Sequence, residues 1–460
     1  MKRIMQRSYL IFFITLAFFA GVAFLAVKLV LGSADWVSKP YNGHMASSSG
    51  LSQAGSILDR NDNAFVESDK DGKRKYNGDY DTRCSYLHIV GDNSLNISTA
   101  VQSMYRTELT GYSLIFGLGM PKSLKTNSDI KLTVDMDATK AAYQALGSKK
   151  GACVVYNYKT GEILCSTSSL SYDPADPPEI TKENEEEYSG VYLDNVMSSA
   201  YTPGSIFKTV TAACAIENIP DIYERTFDCS GAYEIEGDDI TCEDAHGTVT
   251  FEEAYAYSCN VAFAKIAQEL GTEKLTKTAE EMGFNKQFVM SNIDVQKSSF
   301  DVKEANDNQL AWSGIGQHTD LANPLHMAMM CGAIANDGTP VVPYHVSNNT
   351  SIFAKLGLTK GGQTGEKMLS PDTAKKVKDL MRKAANYYYN VRGLNIAGLD
   401  FCAKTGTAEV DKEKQPNAWF IGFTESDEHP YAFAVVVEEG GYGISAATPV
   451  AVAAINELVN

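Results

Sequence analysis

Three short segments pair hydroxyl, amine and amide groups in patterns suited to acyl transfer through a serine. They are Ser205-Ile206-Phe207-Lys208, Ser258-Cys259-Asn260 and Lys404-Thr405-Gly406-Thr407. A serine hydroxyl at its ordinary pKa is a poor nucleophile and needs an adjacent base. Residues three apart on a helix are neighbours, so a helix starting near Ser205 sets Lys208 beside it. The same helix start offers unpaired N–H groups to a developing anion. Pro203-Gly204 suits the bend before it.

Each pattern is weak alone, because the chain carries other copies. Ser128-Asp129-Ile130-Lys131 repeats the first, Ser94-Leu95-Asn96 and Ser347-Asn348-Asn349 repeat the second, and Lys159-Thr160-Gly161 repeats the third. Local structure separates them. Ser128 and Lys131 border an alternating strand, where residues three apart point to opposite faces. Lys159-Thr160-Gly161 falls at a hairpin tip, where Gly supplies turn geometry. Gly406 instead lies within an apolar strand, where Gly is costly unless something approaches the backbone closely. A bound substrate peptide is the natural candidate; a sheet bend is the plainer alternative.

The positioning elements follow from periodicity. Ile130–Val134 alternates as a strand and Ala138–Leu146 reads as a helix. Residues 151–168 form a hairpin around Tyr158–Gly161. An acidic, Pro-bearing loop covers 173–194. Helical patterns follow at 205–216, 251–270 and 322–336, with Ser258-Cys259-Asn260 between helical segments. Strands at 401–410, 418–423 and 431–438 and a helix at 447–458 close the chain. An early hairpin and a late meander around helices predict one α/β domain whose sheet joins distant segments.

Ser258 follows Ser205 by 53 positions and Lys404 follows it by 199, room for a helical region between sheet segments. Together the three motifs resemble the active site of penicillin-recognising serine enzymes. Further stretches narrow the resemblance to class B penicillin-binding proteins of the short form. Gly55-Ser56-Ile57-Leu58-Asp59-Arg60-Asn61 is similar to the opening of their N-terminal module. Gly151–Val155 with Gly161–Leu164 is similar to the first hairpin of their transpeptidase domain. Ser313–Gln317, Pro324-Leu325, Ala335–Gly338 and Ala418–Gly422 match later stretches, so the resemblance spans about residues 55–455.

The resemblance implies a serine β-lactamase/transpeptidase-like α/β (α+β) domain: a central antiparallel sheet flanked by helices, behind a smaller mixed module and one transmembrane helix. It implies a peptidoglycan D,D-transpeptidase in which Ser205 attacks the carbonyl between the terminal D-Ala-D-Ala residues of a stem peptide. Lys208 would be the base, and Ser258 would pass a proton between Lys208, Lys404 and the leaving amine. Asn260 would bind the substrate amide, and Thr405 and Thr407 its carboxylate, with Gly406 between them. Backbone N–H groups of Ser205 and Thr407 would form the oxyanion hole. β-Lactam antibiotics would acylate Ser205, and a polytopic glycan polymerase of the shape, elongation, division and sporulation group would be the partner. A D,D-carboxypeptidase or serine β-lactamase shares this site, and a non-catalytic β-lactam sensor or scaffold is the alternative of a different class.

The N-terminus has its own logic. Lys2, Arg3 and Arg7 precede an uncharged apolar run from Tyr9 to Val27, which just reaches across a bilayer core of about 30 Å. The basic flank marks the cytoplasmic side. This gives a tail at 1–8, an anchor at 9–31, a pedestal module at 32–150 with a polar tether to about 50, and the transpeptidase domain at 151–460 outside the cell membrane. A signal peptide cleaved near Gly32 and Ala34 is the competing reading. The net charge of −17 argues against a nucleic-acid role. Nine cysteines show no C-x-x-C pair, so no zinc or redox motif is indicated, and no metal or organic cofactor is expected. Cys214 and Cys331 read as small core residues. Cys229 and Cys242 flank a Gly-bearing acidic stretch, either paired or as free thiols.

Overall fold

The computed structural model describes residues 2–38, 51, 54–111, 129–291, 293–347, 362–410 and 414–460. Most of the expected tether, and the decoy residues Ser128, Asn348 and Asn349, lie outside them.

The centre is a five-stranded antiparallel sheet in the order Phe401–Ala408, Asn417–Thr424, Tyr431–Val437, Gly151–Asn157, Ile163–Ser169. The early hairpin and late meander therefore meet, with Phe433 opposite Val155. All eight residues of Asn417–Thr424 are buried, so both faces of the sheet must be covered. Helices Met136–Leu146 and Thr448–Val459 pack together on one side, and Pro324–Ala335 with Pro371–Arg392 on the other. Their starts are chemically set. Asn323 accepts the His326 N–H ahead of Pro324, and Thr250 and Glu253 form a capping box opening the helix Phe251–Ala256.

Several elements differ from the sequence reading. The strand expected at 130–134 is regular only at Ile130–Lys131, because its parallel partner Ile57–Leu58 is itself two residues long; beyond it Leu132 makes a single antiparallel bridge to Val346. The helix near residue 205 opens as a tight 3-10 turn, Gly204–Phe207, before the α-helix Lys208–Asn218. The pattern at 251–270 is two helices, Phe251–Ala256 and Asn260–Glu281, broken at the Ser258 motif; the second kinks at Gly271, whose φ is 77°. Pro371–Arg392 is a 22-residue helix that the reading omitted altogether.

The N-terminal region builds a small sheet from Arg74–Tyr76, Ala64–Ser68, Ile57–Leu58 and Ile130–Lys131. It is locked onto the catalytic region by a two-pronged Arg83–Asp173 ion pair at 2.8 and 2.6 Å, and by Thr167 Oγ1 donating to the Ser85 carbonyl at 2.9 Å. Ahead of it, Met5–Leu29 within the helix Lys2–Ser38 is exposed, apolar and long enough to cross a membrane.

Candidate active site

Ser205 sits in the tight turn Gly204–Phe207, and three contacts fix that turn. Gly204 has φ +56° and lies so close to the strand Phe401–Ala408 that a Cβ would come within 2.5 Å of the Thr407 carbonyl. The Gly204 N–H donates to the Gly316 carbonyl at 2.8 Å, and Trp419 Nε1 donates to the Thr202 carbonyl at 2.9 Å. Below the turn, Phe207 stacks on Phe300 at 4.9 Å and meets the edge of Phe284 at 5.2 Å.

The helix beginning at Lys208 carries that side chain back toward Ser205, with Nζ 3.1 Å from the serine Oγ. Lys208 Nζ also donates to Asn260 Oδ1 at 2.5 Å and to the Ser258 carbonyl at 2.6 Å, and lies 3.2 Å from Ser258 Oγ. Ser258 stands between the two helices in left-handed geometry, φ +59°, which turns its carbonyl and hydroxyl to the same amine. From the sheet side, Lys404 Nζ reaches Ser258 Oγ at 3.0 Å. A hydroxyl and two amines from three remote segments thus form one connected chain ending at Ser205.

Both lysines are fully buried. Burial, with the neighbouring Lys404 charge acting the same way, pulls Lys208 down from 10.5 to about 7. Burial likewise lowers Lys404 to about 7, against a weaker upward pull from Glu243. An amine poised near neutrality is what a general base needs.

The cleft over these groups has a volume of about 440 Å³ and is lined by Ser205, Ser258, Asn260, Thr405 and Thr407, with Tyr257, Tyr387, Tyr442 and Trp312 along its walls. A larger hollow of about 670 Å³, bordered by Phe288, Met290, Leu325 and Met329, contains none of the three motifs.

Seven of the eight expected residues therefore gather at one cleft. The eighth, Gly406, lies between two of them and permits a close approach by the chain itself. A Cβ there would stand 2.9 Å from the Pro203 carbonyl and 3.0 Å from Ile206 Cγ2, so this glycine lets the strand press against the serine turn. The decoys are elsewhere. Lys159 is bonded to Asn336 at the hairpin tip, Lys131 pairs with Asp62, and Asn96 is bonded to Asp92.

Tyr388 was missed. Its hydroxyl accepts the Thr405 N–H at 3.3 Å, lies 3.0 Å from Thr405 Oγ1 and accepts from Lys404 Nζ at 3.5 Å. The signal was present: Ala374, Val377, Met381, Ala384 and Tyr388 recur at helical spacing and face inward.

Residues 151–456 match the family described as penicillin binding protein transpeptidase domain. The chain belongs to this family. Among similar penicillin-binding-protein transpeptidases is the peptidoglycan D,D-transpeptidase PbpA of Mycolicibacterium smegmatis, 28% identical over 406 residues covering 82% of each chain. The structure of penicillin-binding protein A from M. tuberculosis as a penicillin G acyl-enzyme complex is 25% identical, with TM-score 0.73 over 89% of this chain and all of that one. The D,D-transpeptidase domain of a peptidoglycan glycosyltransferase from Eggerthella lenta is 26% identical, with TM-score 0.73 over 89% of this chain and 98% of that one. The expected α/β fold and transpeptidase class thus stand. All nine cysteines are free thiols, and Cys229 and Cys242, 3.6 Å apart, share one cluster with His246 and Cys259.

Proposed function

We propose that this transpeptidase cross-links peptidoglycan through an acyl-enzyme on Ser205, using stem peptides ending in D-Ala-D-Ala. The observation that carries the reading is the continuous path Ser205–Lys208–Ser258–Lys404, whose links are 3.1, 3.2 and 3.0 Å. With Lys208 neutral, the Ser205 hydroxyl donates its proton to the amine while Oγ bonds to the penultimate D-Ala carbonyl carbon. Backbone N–H groups of Ser205 and Thr407 receive the oxyanion, each such donor being worth roughly 3 kcal/mol. Ser258 passes the proton on to the departing D-Ala amine as the peptide bond breaks. An acceptor amine then attacks the ester, loses a proton through the same path and restores Ser205. Phe401–Ala408 is an edge strand, so a donor peptide can lie along it with Asn260 on its amide and Thr405, Thr407 and Lys404 on its carboxylate.

β-Lactams follow the same first step, and the acyl ester persists when no amine displaces it. The named relatives favour transpeptidation over the carboxypeptidase, β-lactamase and sensor alternatives. In the arrangement proposed, residues 1–8 are cytoplasmic, residues 9–31 anchor the chain, residues up to about 150 act as a pedestal, and the catalytic domain faces outward. A polytopic glycan polymerase is the partner that such an anchor and pedestal would meet. Co-purification lost on exchanging residues 1–31 for another anchor supports that partner.

The reading is tested by mass spectrometry of the detergent-solubilised chain after penicillin treatment. The adduct is expected on Ser205, long-lived, and missing in Ser205→Ala. An adduct on another residue, or labelling that survives this substitution, overturns it.

A further inference from the structure

One cluster beside the cleft is not used by the acyl-transfer reading. Cys229, Cys242, His246 and Cys259 bring one donor atom each to a common point, all four within 4.8 Å of one another. The individual separations are 3.6 Å from Cys229 Sγ to Cys242 Sγ, 3.9 Å from Cys242 Sγ to Cys259 Sγ, and 3.5 Å from Cys229 Sγ to His246 Nδ1. Tetrahedral zinc, with Zn–S about 2.3 Å and Zn–N about 2.0–2.1 Å, sets sulfurs about 3.8 Å apart and sulfur and nitrogen about 3.5 Å apart. These three of the cluster's six edges already have the lengths of such a site, and the other three are within 4.8 Å. We propose that Cys229, Cys242, His246 and Cys259 hold a structural zinc ion that fixes the Ser258–Asn260 segment of the active site.

Three further observations point the same way. The ligand-bearing segment has almost no core of its own. Thr226–Cys229 pairs with Gly247–Thr250 and Ala232–Ile235 with Asp238–Thr241, yet each of these strands buries a single residue. Short hairpins of this kind need a staple, and a Cys3His metal site supplies one. Next, two sulfurs are held as anions are held. Cys242 Sγ accepts the N–H groups of Asn260 at 3.1 Å and Val261 at 3.5 Å, and Cys259 Sγ accepts that of Ala262 at 3.4 Å. These donors open the 22-residue helix Asn260–Glu281, whose positive end favours thiolate over thiol. Finally, the His246 ring lies parallel to Tyr257 at 6.0 Å, which fixes its plane.

The ligands are interleaved with the active site. Cys259 lies between Ser258 and Asn260, and Cys242 follows Thr241, whose carbonyl accepts from Asn260 Nδ2 at 2.6 Å. An ion bonded to both cysteines would hold Asn260 Oδ1 and the Ser258 hydroxyl against Lys208. These cysteines and His246 are positioning residues. The ion site stands without the acyl-transfer reading, whereas its effect on acylation rests on the roles given to Ser258 and Asn260. The spacing C-x12-C-x3-H-x12-C contains no C-x-x-C pair, so the sequence carries no recognisable zinc motif. The ligands are spread over two hairpins and a helix start, and folding alone makes them neighbours.

The test uses the full chain, purified in detergent under reductant, given zinc and then desalted. Elemental analysis is expected to find one zinc per chain, retained in Ser205→Ala and lost in Cys229→Ser and His246→Ala. Cobalt exchanged for the zinc is expected to give thiolate-to-metal charge transfer and the visible absorption of a tetrahedral site. Chelation is expected to lower the penicillin acylation rate at saturation at least tenfold with little change in half-saturating concentration, and zinc restores it. Zinc bound without any effect of chelation on acylation leaves the ion site and overturns its positioning role. A reduced chain that takes up no zinc and gives no thiolate–cobalt absorption overturns the site itself, as does uptake unchanged in Cys229→Ser. The cobalt spectrum of the unaltered chain decides the matter even where variants fail to fold.

Discussion

Lys404 Nζ stands 3.0 Å from Ser258 Oγ, linking the edge strand to the turn between two helices across 146 positions of sequence. Neither triplet alone identifies its residue, because the chain carries a second Lys-Thr-Gly and two other Ser-x-Asn triplets.

That link separates the true motif from its copy. Lys404 is fully buried in the site, whereas Lys159 bonds Asn336 at an exposed hairpin tip. Removing a charged hydrogen-bond donor costs about 1.5–3 kcal/mol, so Lys404→Ala should slow acylation by fluorescent penicillin roughly ten- to a hundredfold. Lys159→Ala should leave the rate within about twofold. Equal losses in a stopped-flow comparison would remove the structural distinction between the two motifs.

The buried amines set a pH profile. Lys208 accepts the serine proton only when neutral, and its value is lowered to about 7 chiefly by burial. Acylation should therefore climb about tenfold per unit up to roughly pH 7 and then level off. Stability has the matching sign. Between about 7 and 10.5 the unfolded chain binds the proton that folded Lys208 has released, so the charging cost present below pH 7 disappears as pH rises. Lys208→Met abolishes acylation, and its advantage in thermal midpoint over the unaltered chain should shrink from pH 6.5 to pH 9.5. An acylation rate flat between pH 5.5 and 8 would contradict the assignment of Lys208 as base.

Tyr388 supports the strand edge from within the cleft wall. Its hydroxyl engages the Thr405 N–H, Thr405 Oγ1 and Lys404 Nζ at once. Deleting it in Tyr388→Phe removes hydrogen bonds worth about 1 kcal/mol each. Acylation should fall about tenfold, with the loss expressed in the rate at saturating penicillin. A change confined to half-saturating concentration would make Tyr388 a ligand contact instead.

What the sequence made legible follows the range of the forces involved. The hairpin at 151–168, the strands ending the chain and the helices around Ala138 and Ile216 announced themselves, because their side chains repeat at the period of the element. The neighbourhood of Ser205 and Lys208 was legible for the same reason, as a pair three apart on a helix. Tyr388 was not read, although its helix Pro371–Arg392 is strongly amphipathic; that region offered no motif to draw attention. The cluster of Cys229, Cys242, His246 and Cys259 was illegible in another way. Its ligands are spread over two hairpins and a helix start, and only the tertiary fold brings their donor atoms within 4.8 Å.

Gly406 ties the edge strand to the serine turn through packing. A glycine inside a strand signals close approach, and here the Pro203 carbonyl and Ile206 Cγ2 at the turn that holds Ser205 come within 2.9 and 3.0 Å of where its Cβ would stand. A methyl group at this position must push the turn away from the strand or bend the strand itself, and overpacking of this kind costs about 1–3 kcal/mol. Gly406→Ala should lower the thermal midpoint and slow acylation at least tenfold, because the turn carries both Ser205 and the first of the two oxyanion N–H groups. Gly78→Ala meets nothing within 4 Å and serves as the neutral reference. If Gly406→Ala lost stability but acylated at the ordinary rate, the serine turn would be free to relax without disturbing the nucleophile, and the coupling between strand and turn would be purely structural.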